Sequence, residues 1–105
     1  MPLTHDFKET IRARAQRDPE FRQALLREAV ECVIQGDLAA GKAVLRDYVN
    51  ATAGFQDLEK RTHIPVKSLM RMLGPKGSPS AANLSRILSA LQKTEGVQFE
   101  LAQKR

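Results

Sequence analysis

Residues that terminate helices recur along this chain and leave room only for short helical segments between them. Pro, Gly or a capping Asp stands at 18–19, 36–37, 54, 65, 74–79 and 96. Between these points, apolar residues recur every three or four positions, which is the period of an amphipathic α-helix. Asp-Pro is typical of a helix start and Gly of a helix end. The sequence therefore predicts an all-α fold.

The length of 105 residues and a hydrophobic share of 42% allow one modest core. A barrel enzyme is excluded, because such a fold needs about 250 residues. We predict a single globular unit in three parts: an N-terminal helical extension (1–36), a second helical domain (37–96), and a C-terminal strand with a tail (97–105).

The positive charge of the chain is concentrated in one segment. The chain carries 17 Lys and Arg against 12 Asp and Glu, a formal net charge of +5. Residues 60–94 hold seven basic residues and no acidic one, whereas residues 1–59 hold eight basic and ten acidic residues. A phosphate backbone repels carboxylates and attracts cations. This distribution favours an anionic partner, and among these a DNA duplex fits best.

Two short helices joined by a tight turn are predicted at 55–62 and 66–73. The positions that face inward in a helix-turn-helix are apolar here, and they are Leu58, Ile64, Leu69 and Leu73. The alternative is an ordinary helical hairpin whose charges form a solvated face.

The outward face of the second of these helices is predicted to carry Val66, Lys67, Met70 and Arg71. Lys67 and Arg71 are four residues apart, so both project from one side of the helix. Basic side chains there suit hydrogen bonds to guanine, and Val66 suits apolar contact with a thymine methyl. This face is therefore a candidate for DNA base readout.

A family resemblance accompanies these features. A Gly-Phe-x-x-Leu motif begins at Gly54, a Ser-Leu-x-Arg-x-Leu motif begins at Ser68, and a Gly-Ser-Pro loop begins at Gly77. Together with a Leu-rich last helix and an alternating tail, these motifs resemble the addiction-module antidote proteins, which are lambda-repressor-like helix-turn-helix regulators. The resemblance covers residues 37–101, and residues 19–36 more loosely.

The resemblance implies a lambda-repressor-like helix-turn-helix bundle, with 37–96 as the DNA-binding domain. It implies a transcriptional repressor that binds a pseudo-palindromic operator as a dimer and serves as the antitoxin of a toxin–antitoxin module. The implied partners are double-stranded DNA, a second copy of the chain and a toxin protein. The resemblance places base readout on Val66, Lys67 and Arg71, and phosphate contacts on Ser68, Lys76, Ser80 and Asn83.

Three residues depart from the family pattern. Glu59 stands where Ala is usual between the two helices, so its carboxylate must reach solvent. His63 stands in the turn where Gly is usual, and a positive φ there is uncommon for other residues. Phe55 replaces the polar residue often found at the start of the first helix. The first two departures bear on the angle between the helices.

The C-terminal tail alternates apolar and polar residues, with Val97, Phe99 and Leu101 on one side. This period of two predicts a β-strand. Because the chain offers no second strand, we expect the tail to pair with the same strand of a second subunit and to form the dimer contact. The alternative is a short extended tail that packs on its own core.

Other functions are less favoured. His5 and His63 are far apart and Cys32 is isolated, so no cluster of metal ligands is indicated. We predict no catalytic residues, no metal and no cofactor. The main alternative is a protein-interaction module without specific DNA readout, in which residues 1–36 are a toxin-binding or dimerising element or a plain extension of the core. RNA binding is disfavoured, because the four Phe and one Tyr mostly lie in apolar rows.

A bacterial cytoplasmic location is expected. The chain has no apolar run long enough to span a membrane and no signal-peptide pattern at its start. Cys32 is the only cysteine, which excludes an intrachain disulfide and fits a reducing compartment. We interpret Cys32 as a small core residue.

Overall fold

The computed structural model describes residues 5–104, with side chains from Glu9 onward. This range forms six α-helices and no strand, which confirms the all-α prediction for these residues. The helices are α1 (His5–Arg17), α2 (Pro19–Ile34), α3 (Leu38–Ala51), α4 (Phe55–Thr62), α5 (Val66–Met72) and α6 (Ala81–Glu95).

Helices α2 and α3 begin with caps that the sequence itself indicates. The side chain of Asp18 accepts a hydrogen bond from the backbone N–H of Phe21 at 3.1 Å, and Pro19 occupies the first helical position. The side chain of Asp37 likewise accepts from the N–H of Ala40 at 3.1 Å. Each carboxylate satisfies a donor that a helix start otherwise leaves open, and it also complements the helix dipole.

The α2–α3 pair packs unusually closely at Gly41. A Cβ atom at this position would lie 2.8 Å from Cγ2 of Val33 and 3.3 Å from the carbonyl oxygen of Ala29. Glycine therefore lets the two helix backbones approach each other. Leu26 of α2 and Leu45 of α3, both with no exposed surface, belong to the same buried core. The predicted helical extension is thus joined to α3 through a continuous apolar core.

A buried polar cluster fastens this pair to the end of α6. The Tyr48 hydroxyl donates to Oε1 of Glu95 at 2.5 Å, and Nε of Arg22 donates to both oxygens of the same carboxylate at 3.2 Å. The Glu95 side chain is 5% exposed. Burial raises the pKa of the Tyr48 phenol above its ordinary value, and the hydrogen bond and negative charge of Glu95 raise it further.

The predicted C-terminal strand is wrong for the described residues, none of which forms a strand. Gly96 ends α6 in the left-handed conformation, and the tail then folds back on α6. Val97 donates its N–H to the carbonyl oxygen of Gln92 at 3.0 Å, and Phe99 donates its N–H to Oε1 of Gln92 at 2.9 Å. Val97 and Phe99 pack against the core, whereas Leu101 is 83% exposed. The first two apolar residues of the alternation therefore face the core, and Gln92 of α6 rather than a second strand accepts the hydrogen bonds of the tail.

Candidate nucleic-acid interface

Helices α4 and α5 are joined by a three-residue turn, and the inward positions predicted for this unit are buried. Leu58 and Ile64 are 2% and 5% exposed, and Leu69 and Leu73 have no exposed surface. Thr62 reinforces the turn, because its hydroxyl donates to the carbonyl oxygen of Leu58 at 2.8 Å and accepts from the N–H of Ile64 at 3.2 Å. The unit has the packing that the sequence predicts.

His63 adopts the left-handed conformation, with φ 61° and ψ 25°. It is the only non-glycine residue with a positive φ among the described residues. Its N–H donates to the carbonyl oxygen of Glu59 at 2.7 Å, which closes the last turn of α4. The turn therefore keeps the backbone shape that glycine usually supplies, with a histidine in its place.

The start of α5 is capped from outside the helix. Pro65 stands at the cap position and offers no side-chain acceptor. Oε1 of Glu59, on α4, accepts a hydrogen bond from the N–H of Val66 at 2.7 Å. The residue that departs from the family pattern thus satisfies a donor at the start of α5, and its carboxylate reaches solvent as expected.

The end of α5 is held by two basic residues of α3. Lys42 is 6% exposed, and its Nζ donates to the carbonyl oxygens of Gly74 and Gly77 at 3.0 and 2.5 Å. Arg46, one turn further along α3, donates from a terminal guanidinium nitrogen to the carbonyl oxygen of Leu73. Leu73 is the C-cap of α5, where carbonyls lack intrahelical donors and the helix end carries partial negative charge, whereas Gly74 and Gly77 belong to the loop that follows.

The outward face of α5 carries the predicted base-reading residues. Lys67 and Arg71 are exposed, and neither forms an ion pair or a hydrogen bond through its side chain with any residue in the range 5–104. Met70 is 54% exposed on the same helix, and Val66 is half-buried. The helix therefore presents two free cations one turn apart with apolar surface beside them.

The predicted phosphate-contacting residues differ in exposure. Lys76 and Ser80 are exposed, whereas Ser68 and Asn83 are half-buried. The Ser80 hydroxyl accepts a hydrogen bond from the N–H of Asn83 at 3.1 Å, so Ser80 is the cap of α6 and that N–H is occupied. The side chains of Lys76 and Ser80 are thus the most accessible of this set.

The acid-free segment also places cations away from α5. Arg61, Arg86 and Lys93 line an open cleft of about 350 Å³ on α4 and α6. Arg61 is paired with Asp57, with Nε 2.7 Å from the carboxylate. The positive charge that the sequence locates in one segment is therefore divided between the α5–loop region and this cleft.

Sequence reasoning did not identify the residues that hold the ends of α5. Glu59 was noticeable only as a departure from the family pattern, and its capping role depends on how α4 meets α5. Lys42 lies one helical turn after the inward-facing Leu38 and one turn before Leu45 and Arg46. A lysine inside an apolar row is a signal that its ammonium has a buried partner.

Comparison with known proteins finds no relative: no family model matches the chain, nor does any curated protein or solved structure. Within residues 5–104, no helix has the length and apolar character needed to cross a membrane. In the same range, no three His, Cys, Asp or Glu side chains form a group that could hold a metal ion. Cys32 is half-buried next to Gly41, at the α2–α3 contact.

Proposed function

We propose that this chain is a sequence-specific DNA-binding transcriptional regulator. In this proposal α4, the turn and α5 are a lambda-repressor-like helix-turn-helix, and α5 is the recognition helix. The observation that carries it is the outward face of α5, where Lys67 and Arg71 are exposed, one turn apart and unpaired with any described residue. Such a face suits donors to guanine in the major groove.

Two classes of DNA contact are proposed for this region. Val66, Lys67 and Arg71 read bases, whereas Ser68 of α5 and three side chains that follow α5 contact phosphates. In the phosphate-contacting set, Lys76 and Ser80 are exposed, whereas Ser68 and Asn83 are half-buried and present less surface to a phosphate. Base contacts supply sequence preference, and phosphate contacts supply salt-dependent affinity.

The proposed active form is a homodimer on a pseudo-palindromic site, with half-sites about 10 bp apart or a multiple of that spacing. The proposed contact is the tail, through Val97, Phe99 and Leu101. Val97 and Phe99 pack on their own core, so the support comes from Leu101, whose side chain is 83% exposed and which a second copy of the chain would cover.

The specific role we propose is that of repressor of its own promoter and antitoxin of a toxin–antitoxin module. Its support is the resemblance of residues 37–101 to addiction-module antidote proteins. Helices α1 and α2 lie outside the part that resembles the family most closely, and they are the proposed toxin-binding element.

The test is a gel shift on the DNA upstream of the chain's own gene, across a series of salt concentrations. Arg71→Ala is expected to weaken specific binding by about 1–3 kcal/mol, because it removes a base contact. Lys76→Ala is expected to weaken binding to specific and unrelated DNA alike and to lower the salt slope by about one. Arg27→Ala, which removes an exposed cation of α2, is the matched control and should change neither.

Two outcomes would contradict the proposal. If Arg71→Ala binds the operator as tightly as the wild type, α5 is not the recognition helix. If the wild-type chain does not retard the DNA even at low salt, DNA binding is excluded and a protein-interaction module is favoured instead.

A further inference from the structure

Lys42 is a buried cation whose only partners among the described residues are backbone carbonyls. Its Nζ lies 3.0 Å from the oxygen of Gly74 and 2.5 Å from that of Gly77, and the residue is 6% exposed. A buried ammonium is strongly unfavourable unless hydrogen bonds replace its lost water. The Gly74–Gly77 backbone supplies those hydrogen bonds, so the position of this loop and the burial of Lys42 depend on each other.

The loop also lies directly against the last turn of α5. A Cβ atom on Gly77 would be 1.7 Å from the carbonyl oxygen of Arg71, a distance that no side chain tolerates. The N–H of Gly77 donates to the oxygen of Gly74 at 3.2 Å, which makes the turn tight. Glycine thus lets the loop backbone contact the same residue whose side chain is proposed to read a base.

Arg46 extends this arrangement by one helical turn. It donates to the carbonyl oxygen of Leu73, the residue that follows α5. Two cations of α3 therefore donate to three carbonyls, one at the C-cap of α5 and two in the loop that follows it. Since a helix end carries partial negative charge, the Arg46 cation at the C-cap also reduces the repulsion of a nearby phosphate.

We propose that Lys42 and Arg46 are positioning residues for the DNA-binding face. They fix the loop that carries Lys76 relative to Arg71, so that one base contact and one phosphate contact form together. This inference rests on the proposed function, because it assigns α3 a role in DNA recognition without contact to DNA. It predicts energetic coupling between Lys42 and Lys76, which do not bond to each other.

The first part of the test uses the full chain without DNA. Lys42→Met keeps the length of the side chain and removes its charge and donors. We expect the N–H of Gly77 to exchange with solvent about tenfold faster in this variant, while amides of α2 exchange at their wild-type rates. Arg46→Met, which removes the neighbouring contact, provides a second variant should Lys42→Met fail to fold. Arg27→Met is the control for loss of an exposed cation.

The second part measures coupling on DNA. In the wild-type background, Lys76→Ala should lower the salt slope by about one. In the Lys42→Met or Arg46→Met background, the same change should have little further effect, because the loop no longer presents Lys76 to a phosphate. Lys42→Met alone should weaken specific binding about tenfold. In the Arg27→Met background, Lys76→Ala should keep its full effect.

The two parts separate failure of this inference from failure of the proposed function. If the Gly77 amide exchanges at the wild-type rate in both variants, the loop is not held by α3 and the inference is wrong, whatever happens on DNA. If exchange is faster but Lys76→Ala keeps its full effect on the salt slope, the contacts are structural only and the inference is also wrong. If the wild-type chain binds no DNA, the proposed function fails and the inference fails with it.

Discussion

The α2–α3 pair and helix α5 differ in where their end groups find partners. Helices α2 and α3 begin with their own capping residues, Asp18 and Asp37. Helix α5 has no side-chain cap at its own start, and residues of α4 and α3 supply hydrogen bonds at its two ends. The starts of α2 and α3 are thus determined largely by local sequence, and the ends of α5 by the helices around it.

This difference has a physical cause and a functional consequence. Helix α5 spans Val66–Met72 and is too short to be stable alone, since isolated helices shorter than about 12 residues are marginal in water. Leu69 on its inward face is fully buried, and residues of α4 and α3 form hydrogen bonds at its two ends. The outward face is therefore left without a structural task, which is what a recognition surface needs.

The largest expected effect tests the contact at the end of α5. Gly77→Ala should lower the free energy of unfolding by about 3 kcal/mol, because its Cβ would meet the backbone oxygen of Arg71, which cannot rotate away. Urea denaturation followed by circular dichroism measures the change. Ser78→Ala, at the exposed neighbouring position, is the control and should cost less than about 0.5 kcal/mol.

The same substitution in the α2–α3 pair should cost far less. In Gly41→Ala the new Cβ would lie 2.8 Å from Cγ2 of Val33 and 3.3 Å from the carbonyl oxygen of Ala29, so a side-chain atom rather than a backbone oxygen makes the tightest contact. Alanine favours a helix interior by about 1 kcal/mol over glycine, which offsets part of this strain, so the net loss should be about 1 kcal/mol. If Gly41→Ala lowers the free energy of unfolding as much as Gly77→Ala does, the α2–α3 pair tolerates an added Cβ no better than the end of α5.

The next effect concerns pH and the cluster that joins α2 and α3 to α6. Burial raises the pKa of Tyr48, so the folded state keeps the phenolic proton after the unfolded state has begun to lose it. Below pH 10 both states hold the proton and this contribution is complete. Above pH 10 it is lost, at a rate of about 1.4 kcal/mol per pH unit.

Urea denaturation between pH 9 and 11 tests this linkage against Tyr48→Phe, which lacks the titrating group. The wild-type stability should fall more steeply than that of the variant, and the excess slope belongs to Tyr48. Because Tyr48 is the only tyrosine, its ionisation is also visible in the ultraviolet absorbance of the folded protein. Equal slopes in the two proteins, or ionisation of the folded protein near pH 10, would contradict the prediction.

A smaller effect tests the cap that α4 supplies to α5. Glu59→Ala should lower the free energy of unfolding by about 1 kcal/mol, because the N–H of Val66 loses its acceptor. Glu59→Gln keeps an acceptor oxygen and should recover most of that loss. Asp37→Ala should cost a similar amount through the cap of α3.

The two cap variants differ in what they do to DNA binding. Glu59→Ala alters the start of the proposed recognition helix and should change sequence preference in a gel shift, whereas Asp37→Ala should leave it unchanged. Equal sequence preference in the two variants would mean that the cap of α5 is a matter of stability alone.

The fold was predictable where a residue acts on its sequence neighbours. The apolar period located the inward positions Leu58, Leu69 and Leu73, and the capping residues located the starts of α2 and α3. Both signals depend only on helical geometry, which is the same in every protein. Once the inward positions of α5 are known, helical geometry places its remaining residues on the exposed face.

The remaining features depend on contacts between distant residues. The bond from Lys42 to Gly77 joins residues 35 positions apart, and that from Arg22 to Glu95 joins residues 73 positions apart. No local period encodes such pairs. The tail shows the same limit, because alternation does not tell whether a second strand or Gln92 of α6 accepts the hydrogen bonds of the Val97 and Phe99 N–H groups.

The smallest expected effect concerns the turn that joins α4 to α5. His63→Gly should raise the free energy of unfolding by about 0.5 kcal/mol. The left-handed conformation of a non-glycine residue costs about 1 kcal/mol or more, and glycine removes that cost. Glycine also gains freedom in the unfolded chain, which offsets part of the gain. The exposed imidazole contributes no hydrogen bond to a described residue that would be lost.

His63→Ala separates the backbone effect from the loss of the side chain. Alanine retains the strain and removes the imidazole, so it should be no more stable than the wild type. The difference in stability between the two variants measures the strain less the entropy that glycine gains in the unfolded chain. Because the change is local to the turn, gel shifts should give both variants the wild-type sequence preference. If His63→Gly is less stable than His63→Ala, the strain is smaller than the entropy of glycine. The turn would then owe its shape to Glu59 and Thr62, and the whole start of α5, like its end, would be set by residues outside it.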